Sequence, residues 1–405
     1  MKPELLAPAG DRERMEAAVR YGADAVYLAL QQFGMRSAAI NFRPEELPDA
    51  VDWCHARGAK VYVTCNTLPR NEDFADLPEF LELVQDAGAD ALILTDLGAF
   101  QMAKTYAPQV ERHVSTQAGV VNYAAANAWY DLGARRVILA RELSLREIRE
   151  IRNNTPADLE LEAFVHGSMC VSFSGRCLLS NYMTGRDGNK GECAQPCRWK
   201  YALMEETRPG EYFPVYEDES GSYILNSRDL CMIDHVPDLL EAGVDSLKLE
   251  GRMKTAYYAA VISQAYRHGI DAALAGRPLE QVWKDEVHKV SHRAYCTGFF
   301  YGRPTDAQFY ADARYIREYQ ISAYVLDCDE EGNAVLTQRN RFSLADELEL
   351  LIPGREPIPF RVDRLENGQG EPITVCPHPQ MELRLRLPCQ APRWAILRRA
   401  TGKEQ

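Results

Sequence analysis

Four cysteines stand within 28 residues, Cys170, Cys177, Cys193 and Cys197, and Cys231 follows them. Thiolates bind soft and borderline metals, and four of them suit either tetrahedral zinc or an iron–sulfur cluster. The spacing is not the two-residue knuckle of common zinc folds. Three residues separate Cys193 from Cys197, and six separate Cys170 from Cys177. Irregular spacing inside a Gly-rich excursion favours a [4Fe–4S] cluster over a zinc ribbon. The total of eleven cysteines is odd and unevenly spread, which argues against a disulfide framework. Cys54, Cys65, Cys296, Cys328, Cys376 and Cys389 read as small apolar residues of core or surface.

The elements that must position these thiols alternate in type. Eight short apolar runs read as strands: Glu4–Ala7, Ala25–Ala29, Lys60–Cys65, Ala91–Thr95, His113–Thr116, Arg136–Ala140, Leu159–Val165 and Ser246–Leu249. Amphipathic stretches lie between them, among them 11–21, 44–56, 77–87, 124–132 and 145–153. Gly22, Gly58, Gly88, Gly133 and Gly243 each end a helical pattern just before a strand, the usual C-terminal stop. Strands alternating with helices imply parallel βα units. Eight of them predict a (β/α)8 TIM-type barrel over 1–300, with its site at the C-terminal strand ends. A doubly wound sheet is the competing fold, but neither G-x-G-x-x-G nor a Walker P-loop occurs. The cysteines fall in one long interruption after strand seven, bounded by 168 and 231, and a seventh helix is expected near Asp229–Ala242. Loops of such length in compact domains are usually functional. Beyond a connector at 301–318, residues 319–405 alternate with period two, which reads as a small C-terminal antiparallel β-barrel domain.

The net charge of −13 excludes a globally basic nucleic-acid wrapper but leaves room for a local basic patch. No run of about 18 apolar residues exists, so no membrane span is expected. The start, Met1–Pro8, lacks the charged n-region and apolar h-region of a signal peptide, and a cytoplasmic location is expected. Arg384, Arg386, Arg393, Arg398, Arg399 and Lys403, with Trp394 nearby, could contact RNA phosphates and stack a base. The alternative is a solvated strand face.

The segment Glu162–Cys170, EAFVHGSMC, and its continuation SGRCLLS resemble the signature of peptidase family U32, the collagenase-like proteins. ELLAPAG, CNTLPRNED, STQAGVVN, LKLEGRMK and SHRAYCTGFFYG extend the resemblance over nearly the whole chain. RELSLREI, GRDGNKGECAQPCRW and EDESGSYILNSRDL look most like the tRNA hydroxylation protein P group. Despite the family name, members with an assigned role are largely oxygen-independent hydroxylases that carry a [4Fe–4S] cluster. The resemblance implies conversion of tRNA wobble uridine to 5-hydroxyuridine, with prephenate as the hydroxyl source. Ribosomal RNA or the ubiquinone ring is the alternative substrate. The implied cluster ligands are Cys170, Cys177, Cys193 and Cys231, with Cys197 as the alternative fourth.

If the barrel forms, Asn66, Asp96, Gln117, Arg141, Glu142, His166, Glu250 and Arg252 line its mouth. Arg141 and Arg252 are candidate carboxylate clamps, and the dicarboxylate prephenate suits them. Mouth salt bridges, Arg141 with Glu142 or Glu250 with Arg252, are the structural alternative. His166 could transfer protons or serve as a hydrogen-bonded structural histidine. Proteolysis has weak support: no H-E-x-x-H helix and no G-x-S-x-G elbow occur. A non-enzymatic RNA-binding or assembly factor with a structural metal is the third class considered.

Overall fold

The computed structural model describes residues 2–35, 41–170, 177, 179–196, 228–302 and 315–401, with four short strands between 203 and 223. Seven strands, β1 (Glu4–Pro8), β2 (Ala25–Leu28), β3 (Lys60–Cys65), β4 (Ala91–Leu94), β5 (Glu111–Val114), β6 (Arg136–Ile138) and β7 (Glu160–Ser168), pair in parallel in chain order. Two further strands, β8 (Asp229–Cys231) and β9 (Ser246–Leu249), come after the cysteine-bearing segment. Strand β9 pairs in parallel with both β7 and β1 and so closes an eight-stranded barrel.

Helices α1 (Arg12–Arg20), α2 (Leu47–His55), α3 (Leu77–Asp86), α4 (Leu97–Tyr106), α5 (Tyr123–Asp131) and α6 (Leu145–Asn153) follow strands β1 to β6. Their starts are fixed by side-chain caps where the sequence supplies Asp, Asn or Ser: Asp11, Asp96, Asn122 and Ser144 each accept a first-turn N–H. Their ends follow the expected glycines. Gly22, Gly58, Gly88, Gly133 and Gly243 all have positive φ, between 72° and 108°. After α7 (Leu179–Thr184) in the insertion and α8 (Val236–Glu241), the long α9 (Ala256–Leu274) packs on α1 and β1, and α10 (Gln281–Glu286) follows. No helix among the described residues is long and apolar enough to cross a membrane.

Two boundaries differ from the sequence reading. Strand five ends at Val114, because Thr116 enters a 3-10 turn closed by Gly119 at φ 73°. Residues 229–231 are a strand and not the start of the seventh helix. The overhanging end of β7 takes them in antiparallel pairing, with Asp229 opposite Ser168 and Cys231 opposite His166. The helix begins only at Val236, with Pro237 in its first turn, where the missing N–H breaks no bond. A short strand, β10 (Tyr295–Cys296), then pairs with β8.

The barrel lumen is polar toward its N-terminal end. Arg136, 3% exposed, reaches Glu4 of β1 (2.6 Å), Glu162 of β7 (2.9 Å) and Glu160 (2.6 Å). Lys248 of β9 donates to the other side of Glu162 at 2.8 Å. The Tyr62 hydroxyl donates to Glu4 at 2.5 Å, and the neighbouring His113 ring meets Tyr62 edge-on.

The C-terminal domain is one antiparallel sheet. Its strands are β11 (Tyr319–Cys328), β12 (Asn333–Gln338), β13 (Glu347–Leu351), β14 (Ile358–Arg361), β15 (Glu366–Asn367), β16 (Glu382–Arg386) and β17 (Ile396–Ala400). The spatial order is β14-β13-β17-β11-β12-β16-β15, curled as a half-barrel over Val325, Leu336, Phe342, Leu350, Leu383 and Leu397. Arg398, grouped by sequence with the RNA-facing basic residues, is instead fully buried between the domains. Its guanidinium bonds both oxygens of Glu286 on α10 (2.5 and 2.6 Å) and Glu349 on β13 (2.8 Å). Period-two alternation had placed Arg398 on the outer face, but docking against the barrel helices covers it. Arg384, Arg386 and Arg393 are exposed; Lys403 lies outside the described residues.

Burial opposes ionisation of Glu4, yet the Arg136 guanidinium and bonds from Tyr62 and Ser246 outweigh it and hold the carboxyl at about 2. A carboxyl depressed on folding stabilises above its unfolded pKa and loses that contribution as pH falls. We expect an acid limb between about pH 4.5 and pH 2 worth on the order of 3 kcal/mol. Urea unfolding across that window should show Glu4→Gln with a shallower limb than the wild type. Parallel limbs would remove Glu4 from the acid lability.

Candidate functional site

The C-terminal ends of the barrel strands carry a second polar group. Strand β6 is followed by Arg141, whose guanidinium carbon lies 3.9 Å from the ring centre of Phe164 on β7. Arg141 Nη1 donates to the Ser168 carbonyl at 3.2 Å, and Nη2 stands 4.0 Å from Glu250. Among the described residues its Nε is buried without a hydrogen-bond partner. A guanidinium at a barrel mouth with N–H groups left over is a candidate site for a carboxylate or phosphate oxygen. Glu250 also faces the Tyr27 hydroxyl at 3.2 Å, and that hydroxyl donates to the Leu249 carbonyl at 3.0 Å. Arg141 thus pairs with Glu250 across the mouth, not with Glu142, which follows it half-buried.

Arg252 is committed to the scaffold. It is 5% exposed and donates to Thr64 Oγ1 at 3.4 Å and to the Met35 carbonyl. Of the two expected clamps, Arg141 is tied to the end of β7 and Arg252 to β3 and the segment after β2. Gln117 is buried in the turn after β5. Asn66 and Asp96 serve the backbone: Asn66 Oδ1 accepts from Met35 N–H, and Asp96 caps α4.

His166 does not line the lumen. The pairing of β9 with β7 shifts register between Lys248 and Leu249, opposite Phe164 and His166. This bulge reverses the inside–outside alternation of β7. Phe164 stays under Arg141, while His166 packs toward α9 and β10. Its Nδ1 is 3.3 Å from the Tyr266 hydroxyl and its Nε2 is 3.4 Å from the Tyr295 hydroxyl. Burial pushes its pKa down to about 3, so the ring is neutral. Among the described residues both ring nitrogens face tyrosine hydroxyls.

Among the described residues, no three His, Cys, Asp or Glu side chains are placed to hold one metal ion. Two of the expected cluster ligands nonetheless come together in the insertion. A methyl group on Gly188 would lie 3.6 Å from Cβ of Cys193 and 3.7 Å from the carbonyl oxygen of Cys177. Cys177 Sγ accepts the Leu179 N–H, and Cys193 Sγ accepts the Gln195 N–H, both at 3.3 Å. Hydrogen bonds to the sulfurs are a feature of iron–sulfur ligation. Cys170 is exposed two residues beyond β7. Cys231 lies on β8 opposite His166, and burial pushes its thiol up to about 12. A bound metal reverses that preference, because a coordinating thiol is deprotonated outright. The donor set therefore fits a soft metal centre. Cys197 lies outside the described residues.

Sequence reasoning missed Tyr27, Phe164 and Lys248. Each sits in an apolar run whose alternation is invisible when both strand faces are buried.

The fold is a closed (β/α)8 barrel followed by an antiparallel β domain. The model of peptidase family U32 matches residues 10–309, and that of the family's C-terminal domain matches 317–398; the chain belongs to this family. It is 38% identical over 391 residues to the tRNA hydroxylation protein P1 of Bacillus subtilis, covering 95% of this chain and 92% of that one. It is 44% identical over 303 residues to an uncharacterized protease of Methanocaldococcus jannaschii, covering 74% and 73%. Similarity to the 23S rRNA 5-hydroxycytidine C2501 synthase of Escherichia coli is 31% over 385 residues, covering 93% and 56%.

One glycine holds the mouth together. Gly167 has φ 106°, and a Cβ there would lie 2.3 Å from the Glu250 carbonyl oxygen. Gly167→Ala must push the Glu250 turn away from β7 and adopt a backbone that alanine disfavours. We expect a loss of at least about 2 kcal/mol in urea unfolding. Wild-type stability in that variant would mean that the contact yields freely.

Proposed function

We propose that this protein hydroxylates tRNA wobble uridine to 5-hydroxyuridine without oxygen, with prephenate as the hydroxyl source. The observation that carries the reading is one hydrogen bond: Arg141 Nη1 donates to the Ser168 carbonyl, two residues before Cys170. It ties a mouth cation to the segment that leads into the cysteines. Similarity to a tRNA hydroxylation protein along nearly the whole chain supports the same reaction class.

In this reading Cys170, Cys177 and Cys193, with Cys231 or Cys197 as the fourth, hold a [4Fe–4S] cluster. When bound, such a cluster supplies a Lewis-acidic iron or one-electron transfer. The chain's own residues do the rest. Arg141 binds a carboxylate of the donor, with Phe164 under the guanidinium and Glu250 opposite it fixing its plane. Tyr27 holds Glu250 through its hydroxyl, and Arg252 braces the mouth between β3 and the segment after β2. The uridine base enters from the open C-terminal face. The expected partners are thus tRNA and a small dicarboxylate, acting in the cytoplasm. Ribosomal RNA as substrate is the second reading, favoured by the similarity to the 23S rRNA synthase.

The test is anaerobic purification of variants, with iron analysis and product assay on tRNA. Arg141→Gln should keep the iron of the wild type, bind tRNA, and lose at least about 100-fold in product formation per unit of prephenate, as expected for loss of a charge-assisted pair. Cys170→Ala/Cys193→Ala should lose the iron. Full activity of Arg141→Gln would retire the clamp, and full iron in the double variant would retire the cluster.

A further inference from the structure

Nine large apolar or aromatic side chains are exposed among the described residues, and six gather at the C-terminal end of the barrel. Leu97, Val121, Tyr123, Met183 and Met253 lie on segments that follow strands β4, β5, β7 and β9. The sixth and most exposed, Tyr301 at 55%, is placed there by its neighbours. The Phe300 carbonyl accepts the N–H of Leu145 at the start of α6, in the segment that carries Arg141 (2.9 Å). A methyl on Gly298 would lie 3.9 Å from Met169, which precedes Cys170.

Tyr301 is unusual in being both exposed and fixed. Its hydroxyl is 2.7 Å from His235 Nδ1 and also donates to Asp238 at the start of α8. Its ring meets the His235 ring edge-on, with centres 5.0 Å apart. An exposed side chain ordinarily loses rotamer freedom when a ligand packs on it. Here the hydroxyl is already held at its far end, so little freedom remains to lose. The groups that hold it are polar: His235 and Asp238. A base needs an exposed aromatic face whose edge is held by polar groups, and the Tyr301 ring beside His235 supplies one.

We propose that Tyr301 is a preformed stacking platform for a base of the RNA substrate, at the rim between α6 and α8. The proposal rests on the RNA reading above and adds a specific residue to it. A base stacks on the face of the held ring, and the target uridine of the same loop reaches the mouth beside Arg141. No covalent step is involved.

The experiment measures binding of a synthetic anticodon stem–loop RNA to the anaerobically purified full chain across a salt series, together with kcat and KM on tRNA. Stacking on one ring corresponds to about 5- to 150-fold in affinity. Tyr301→Ala should weaken binding by that range and raise KM with kcat nearly unchanged. The slope of affinity against salt should stay as in the wild type, since no phosphate contact is lost. Tyr301→Trp should bind like the wild type, which separates lost stacking from lost folding. Wild-type affinity in Tyr301→Ala, with product still formed, would overturn the platform and leave the hydroxylase reading standing. A wild-type chain that neither binds the stem–loop nor modifies tRNA would overturn both.

Discussion

The buried guanidinium of Arg136 is the constraint on which the barrel depends. A charge inside a protein must be paired or the fold carries a large desolvation cost. Arg136 on β6 finds its partners on β1 and β7, at opposite chain ends of the barrel. Lys248 on β9 takes the remaining oxygen of Glu162. The ion cluster therefore joins the strands that closure must bring together, and it does so in the lumen, where register errors would leave charges unpaired. Apolar burial supplies most of the stabilisation. The cluster specifies which strands meet.

Closure in that register sets the geometry of the opposite end. Strand β7 overhangs the barrel, and its last residues take β8 in antiparallel pairing. The bulge against β9 leaves Phe164 facing the lumen and turns His166 to the helices. The result is a mouth in which Arg141 lies against the end of β7, the strand that leads to Cys170. The C-terminal domain stands apart from that mouth. Arg398 and Glu286 clamp it against α9 and α10, and Tyr21, just past the end of α1, donates to the Leu351 carbonyl at 3.1 Å.

Much of this is legible in the sequence, for identifiable reasons. The helix–Gly–strand joints announce the βα units because a left-handed glycine and a short apolar run are both local signals. The cysteine cluster announces soft-metal chemistry because few other roles gather thiols at such density. What the sequence hides is nonlocal. The strand at Asp229–Cys231 has helical apolar spacing, and only pairing with the overhang of β7 makes it extended. His166 has the parity of a lumen residue until the bulge reverses it. Arg398 has the parity of a surface residue until the other domain covers it. The pairing of Arg141 with Glu250 joins residues far apart in the chain, and adjacent charges suggested the wrong partners.

A polar lumen that fixes closure and a mouth cation beside the segment leading into the cysteines are the features on which the proposed reaction rests. Membership of family U32 and the similarity to proteins named for RNA hydroxylation support its class. The most direct measurement is nucleoside mass spectrometry of total tRNA from cells lacking this chain, with the wild-type chain returned as control. The account predicts that 5-hydroxyuridine and nucleosides derived from it disappear and return with the chain. Unchanged 5-hydroxyuridine in the deletion, with no other tRNA or ribosomal RNA hydroxylation lost, would contradict it.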